Sequence, residues 1–141
     1  MTKIFDTPVV PISWGELIDK ITILEIKKLK IKSVTALGNI NKELDYLNRI
    51  VVNNLGVMES ISSLKNELYS VNIKLWKVED DIRDKEFKRE FDSLFIKLAR
   101  SVYRLNDRRA KIKNLVNQAL KSELMEEKSY KDFNGPNSLQ G

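Results

Sequence analysis

The sequence predicts an all-α protein, an antiparallel bundle of about four helices with a long C-terminal helix and an extended N-terminal segment. Three observations carry that expectation. Apolar residues recur at spacings of 3 and 4 through most of the chain, which is the period of an amphipathic helix. No stretch of useful length alternates apolar and polar residues as a half-buried strand would. Gly and Pro are scarce, 5 and 3 in 141 residues, and most sit toward the two ends, so the interior holds few helix breakers.

Each element follows from its own signals. Residues 1–12 contain Pro8 and Pro11 and are expected to be extended, because the residue before a proline is pushed out of the helical region. Ser13 followed by Glu16 forms a capping box, so a first helix starts there and runs to about Lys32. Its residues Trp14, Leu17, Ile18, Ile21, Leu24 and Ile31 share one broad face, while Ile23 and Ile26 lie on the other side. Such a helix is buried from more than one direction.

A second helix spans about Val34 to Asn54, with Leu37, Ile40, Leu44, Leu47 and Val51 as its stripe and Asn53, Asn54 and Gly56 as its stop. A third covers about Met58 to Asp84, with Ile61, Leu64, Leu68, Val71, Leu75, Val78 and Ile82 inside. At Asp84-Lys85-Glu86 the chain turns or continues. The last helix runs from about Lys88 to Leu124. Its apolar face moves near Asn106–Lys113, from Phe95, Ala99 and Val102 to Ile112, Leu115 and Ala119, which predicts a bend or a change of packing partner.

At 1.5 Å per residue that helix reaches about 55 Å, longer than the bundle needs. Its second half, with Ile112, Leu115, Val116, Ala119 and Leu120, is therefore expected to keep apolar surface for a second copy in a two-fold homodimer, or for the first helix or the N-terminal Pro8–Pro11 segment to cover. The domain plan is an extended segment 1–12, a bundle 13–133 and a flexible tail 134–141.

Composition narrows the chemistry. The chain has no cysteine and no histidine, which removes thiolate chemistry, the Ser-His-Asp arrangement and the commonest zinc ligands. No metal and no cofactor is expected. Lys and Arg number 25 against 20 Asp and Glu, a net charge of +5 that permits an anionic partner without requiring nucleic acid. No apolar run approaches the ~18 residues of a membrane span. Met1 to Ile12 does not read as a signal peptide, so the cytoplasm is the expected location.

Several polar residues fall where the helices should be apolar. Glu25 sits among Trp14, Ile18, Ile21 and Leu29; Glu79 among Leu68, Leu75 and Ile82; Asn106 and Arg109 among Phe95, Ala99, Val102 and Leu105. Polar groups are costly to bury without partners. Glu25, Glu79 and Arg109 are therefore expected to converge in one inward cluster. Asn72, Trp76, Glu79 and Arg83 lie at spacings of 4, 3 and 4 along one edge of the third helix, an arrangement suited to a polar ligand with a planar part. The structural alternative is a stripe with Trp76 in the core and Glu79 paired with Arg83 one turn later.

Tyr103, Asn106, Asp107 and Arg109 gather hydrogen-bonding groups on the last helix, where an inward Arg either receives an anion or closes a buried salt bridge. Lys97, Arg100, Arg104, Arg108 and Lys111 form a basic stripe at spacings of 3, 4, 4 and 3. It is a candidate nucleic-acid track, or a solvated face, with no interleaved aromatics for base stacking. Glu126 to Tyr130 is expected to pack back on the bundle, with Lys128 closing over the inward cluster. Glu16-Leu-Ile-Asp19 and Glu123-Leu-Met-Glu126 are similar to the acidic steps that hold Mg²⁺ in all-α nucleotide pyrophosphohydrolases, but in a different order and spacing.

Four segments together carry a family likeness. They are Pro11 to Lys27 (PISWGELIDKITILEIK), Leu75 to Arg83 (LWKVEDDIR), Val102 to Lys113 (VYRLNDRRAKIK) and Ser122 to Tyr130 (SELMEEKSY). In order and spacing they resemble a family of short bacterial proteins of unknown function, associated with polysaccharide and glycosyltransferase gene neighbourhoods. The resemblance covers residues 8–132 and leaves out the tail after Phe133. It implies that Glu16, Asp19, Lys20, Glu25, Lys27, Trp76, Glu79, Arg83, Tyr103, Asn106, Asp107, Arg109 and 126–130 belong to the family pattern. It brings no activity and no catalytic residue.

The function expected first is a non-enzymatic bundle that binds a protein or a polar ligand. The second reading is an enzyme or sensor for a small anionic metabolite, such as a sugar phosphate or nucleotide sugar. There Arg83, Arg109 and Lys128 would hold the anion and Glu25 or Glu79 would act as acid or base. The third is a nucleic-acid binder through the basic stripe.

Overall fold

Ser13 opens the first helix as its capping pattern predicts: its Oγ accepts the Glu16 N–H at 3.1 Å. The structure, a computed structural model, describes residues 4–129. Among them lie α1 (Trp14–Lys30), α2 (Val34–Val52), α3 (Val57–Phe87) and α4 (Ser93–Ala119), with no strand. The tail 134–141 lies outside the described residues. Residues 4–12 run exposed and without regular structure, and it is α1 that packs on α4. Ser33 caps α2 by accepting the Ala36 N–H, and Gly56, at φ +85°, makes the turn into α3 that a side chain would strain.

The α3–α4 link departs from expectation. α3 continues to Phe87, and α4 starts at Ser93 rather than Lys88. Arg89 takes a left-handed conformation (φ +54°), and the Glu90 N–H reaches back to the Lys85 carbonyl at 3.0 Å. That closure ends α3 without a glycine. Lys121 (φ +52°) does the same for α4, with Ser122 N–H on the Asn117 carbonyl at 2.8 Å, so α4 stops at Ala119 rather than Leu124. Asp92 caps α4 on the Phe95 N–H, and Lys85 bridges Glu90 and Asp92 across the turn at 2.9 Å each. The Lys85 hydrogen bond, followed by that of Phe95, holds the Asp92 carboxyl below its usual 3.8.

α1 is the hub, packed against all three other helices. It crosses the α3–α4 hairpin. Its first turn meets Asn117 of α4, its middle meets Arg109 of α4 and Asn72 of α3, and its later half meets Lys65 of α3. Ile18 and Ile21 on one face of it and Ile26 on the other are all buried, as a helix enclosed from several directions requires. α2 lends the core only one edge of its stripe: Ile40, Leu44 and Val51 are its buried residues, while Leu37 and Leu47 are half-buried against them.

Every buried residue of α3 lies at or before Leu75, and every buried residue of α4 lies at or after Ala110. Between Trp76 and Arg109 nothing is buried. The far half of the hairpin is thus a two-helix arm with no third helix over it among the described residues. Its seam still keeps strict 3,4 spacing: Leu75, Val78 and Ile82 on α3, and Phe95, Leu98, Val102 and Leu105 on α4.

The predicted rotation of the α4 face is corrected by this arrangement. The α4 seam runs unbroken through Arg109 to Ile112 and Val116, whereas Ala99, Leu115 and Ala119 are exposed. A guanidinium at a seam position reads as a gap in an apolar pattern. What changes there is the packing partner, because α1 joins at that point. The larger uncovered apolar surface is accordingly on the first half of α4, where Leu94, Ile96 and Ala99 stand open, while the second half leaves Leu115 and Ala119 exposed.

Gly15 sets how closely α1 approaches α4. A Cβ on it would stand 2.3 Å from the Lys113 carbonyl oxygen and 2.9 Å from Asn117 Oδ1. Gly15→Ala is expected to destabilise by about 1–3 kcal/mol, as overpacking does, despite alanine's better helix propensity. Gly38, in the exposed part of α2, has nothing within 4 Å of its Cβ position. Gly38→Ala should instead stabilise by roughly 0.5–1 kcal/mol. Urea denaturation of both variants beside the parent checks the pair, since opposite signs are required.

Candidate functional site

The inward polar cluster exists, but around Asp19. Asp19 comes from the middle of α1, where helices enclose it, and its side chain is 1% exposed. Arg109 Nε donates to Asp19 Oδ1 at 2.9 Å, and Nη2 donates to Oδ2, so the guanidinium grips the carboxylate with two parallel bonds. Asn72 Nδ2 donates to Asp19 Oδ1 and to Thr22 Oγ1, each at 2.9 Å. The Thr22 hydroxyl donates to the Asp19 backbone carbonyl at 2.8 Å. The Asp19 hydrogen bond raises the Arg109 pKa above its ordinary value, against burial, so the charge on this group is permanent.

A second cluster lies one turn along α4. Lys113, also buried, holds Glu16 at 2.8 Å and Glu126 at 2.7 Å. Glu126 Oε2 is cut off from solvent, takes no well-aligned hydrogen bond, and has this ammonium as its counter-charge. Burial pushes the Lys113 pKa down, but Glu126 and Glu16 outweigh it and leave the group above 10.5. The segment after α4 is thereby tied to α1. Lys128 stays exposed, 4.0 Å from Glu126, and does not close over the Asp19 cluster. Tyr130 lies outside the described residues.

Beside these, the start of α1 is capped by α4. Asn117 Oδ1 accepts the Gly15 N–H at 2.6 Å, and Ser122 Oγ accepts the Trp14 N–H at 3.2 Å. These donors would otherwise be orphans of the helix terminus.

The expected convergence of Glu25, Glu79 and Arg109 is overturned. Glu25 pairs with Lys65 at 2.8 Å at the edge of the bundle. Glu79 is exposed on the arm and pairs with Arg83 at 3.7 Å, the one-turn ion pair weighed as the structural alternative. Spacing placed Glu79 on the seam side of α3, but α1 does not extend over that part. Asn72 leaves the Trp76–Glu79–Arg83 line to join Asp19. Trp76 and Asn106 are half-buried on the arm, and Tyr103 is more open. Arg83, Arg109 and Lys128 therefore do not form one anion site. Sequence reasoning missed Asp19, Thr22, Lys113 and Asn117 as inward groups. For Asp19 the signal was present: a helix apolar on several sides buries its polar members too.

Lys97, Arg100, Arg104, Arg108 and Lys111 all lie exposed along α4. A groove of about 580 Å³ beside them is lined by Arg108, Lys111 and Lys128, but also by Asp107, Glu126 and Glu127, which offset the positive field. A smaller cavity, about 240 Å³, opens over Arg109 between Lys20, Lys27, Glu16 and Glu43. Glu16 and Glu126, from the two acidic steps, do meet, but on Lys113. Among the described residues no group of three or more acidic side chains could hold a metal ion, and no helix is long and apolar enough to cross a membrane.

Arg109→Ala would leave Asp19 buried and unpaired. It is expected to destabilise by about 3 kcal/mol, at the low end for a broken buried pair because Arg109 keeps 28% exposure. Chemical denaturation of the variant reads this directly. The Lys113 contribution carries a pH signature. Its folded value lies above 10.5, so the contribution is complete below that pH and is lost as pH rises through the folded value. The gap in urea midpoint between the parent and Lys113→Met should hold at about pH 8 and close in strongly alkaline buffer.

No curated protein and no solved structure matches this chain. A family model matches residues 9–139, which reaches past Phe133 and so corrects the expectation that the family pattern stops before the tail. The match takes in all four helices, both polar clusters and the arm, and on that span the chain belongs to DUF6165, a family of unknown function.

Proposed function

We propose that this protein is a non-enzymatic binding module of the cytoplasm that engages another macromolecule through its α3–α4 arm. The observation that carries this reading is the absence of any buried residue between Trp76 and Arg109. An amphipathic two-helix arm keeps its seam only half covered, and apolar side chains stand open along it, including Ile96 and Leu94. Exposed apolar surface of that kind marks a protein-binding site. The inward polar groups support the same reading from the other side. Asp19, Asn72, Thr22, Lys113, Glu16 and Glu126 are engaged with one another and serve the packing of α1. The polysaccharide setting that the four-segment resemblance implies makes an accessory role in polysaccharide biosynthesis the natural context.

The test combines two measurements. The change Ile96→Asp, at an exposed position of the arm, should leave the unfolding free energy of the bundle within about half a kcal/mol, as surface changes do, while abolishing recovery of partners from the source cell. A thermal-shift screen with sugar phosphates, nucleotides and nucleotide sugars should show no stabilisation. A ligand at ~100 times its dissociation constant adds about 2.7 kcal/mol, so one strong hit with arm-independent partner recovery overturns the proposal in favour of a metabolite site.

A further inference from the structure

The arm has one face that the body of the protein explains. α1 lies over Lys65 and Asn72 of α3 and over Arg109, Lys113 and Asn117 of α4. Counting outward by 3 and 4, the same side of the hairpin continues as Trp76, Glu79 and Arg83 on α3 and as Asn106, Tyr103, Ala99 and Ile96 on α4. In the body this side is a helix-binding surface occupied by α1. On the arm the same side continues, and among the described residues no other helix lies over it.

We infer that this face is the homodimer interface, in which the arms of two copies pack antiparallel about a two-fold axis and complete a four-helix bundle. The inference rests on the binding reading above and names its partner. Charge complementarity selects a second copy. Glu79 and Arg83 sit in the middle of the face, one turn apart, and are held together only loosely at 3.7 Å. A two-fold axis between them sets Glu79 against the second copy's Arg83, and Arg83 against the second copy's Glu79. Ala99, exposed between Ile96 and Tyr103, is a small residue where two helices would cross, which permits close approach. The antiparallel order also brings the apolar tip of one arm, with Phe91 at 56% exposure, toward the Trp76 end of the other. The basic stripe on the outer side of α4 stays in solvent, so like charges are not brought together.

Because the chain has no cysteine, the geometry is open to single-cysteine cross-linking. Sedimentation of the full chain at tens of micromolar should give a dimer. Ala99→Cys should form an interchain disulfide on mild oxidation, and Lys97→Cys, on the opposite side, should not. Glu79→Arg and Arg83→Glu should each weaken self-association at least tenfold, because each sets like charges across the axis. Mixed in equal amounts the two variants should form a heterodimer. A monomeric parent overturns the inference, as does a dimer that neither charge variant weakens or that Lys97→Cys cross-links equally well. A monomer whose arm change still abolishes partner recovery would remove the second copy while sparing the binding reading. A monomer whose recovery ignores the arm would remove both.

Discussion

The pairing of Asp19 with Arg109 is the constraint on which the rest of the bundle depends. Arg109 occupies a seam position of α4 that an apolar residue would otherwise fill, and Asp19 is wholly enclosed in α1. Neither group is tolerable alone, since a lone buried charge costs several kcal/mol. Their union therefore decides less how stable the fold is than where α1 must cross the hairpin. Asn72 and Thr22 complete the carboxylate's partners and extend the constraint to α3. A slide of α1 by one turn would strand the whole set at once.

The first turn of α1 supplies a second fixed point. Gly15 brings the backbone so near α4 that Asn117 can cap it, and Ser122 caps the residue before it. The capping groups belong to α4 and to the turn after it, so the start of one helix is completed by the end of another. Lys113 then binds Glu16 on α1 and Glu126 beyond α4 into the same junction. Position along α1 is thus set by polar contacts, while the apolar core around Ile18, Ile21, Leu68 and Val116 supplies the bulk of the burial.

The all-α class and the four helices were legible in the spacing, and the start of α1 was legible in Ser13, whose cap the structure bears out. Helix ends were less legible, because Arg89 and Lys121 take left-handed conformations in which glycine is the usual signal. The inward cluster was foreseen as a kind of object and misassigned in its members. Periodicity ranks residues by their angle around one helix. It does not say how far along that helix a neighbour extends. Glu79 and Asn72 fall on nearby angles, yet α1 covers only Asn72. Arg109 was correctly read as inward because α1 does reach it.

The same limit explains why the arm is invisible in the pattern. From Ile61 to Ile82, and from Phe95 to Val116, the 3,4 seam repeats, Arg109 included, and α3 and α4 make the most extensive helix pair of the bundle. A seam records contact between two helices and is silent about a third. The third layer is written in the residues flanking the seam. In the body these are Asn72, Ala110, Lys113 and Asn117, all buried and matched to groups of α1 or small enough to sit beneath it. On the arm they are Trp76, Glu79, Arg83, Ile96 and Ala99, a mixture too apolar for a face meant only for water and too charged for a closed core. That mixture is the composition of a surface that must be soluble alone and buried when met.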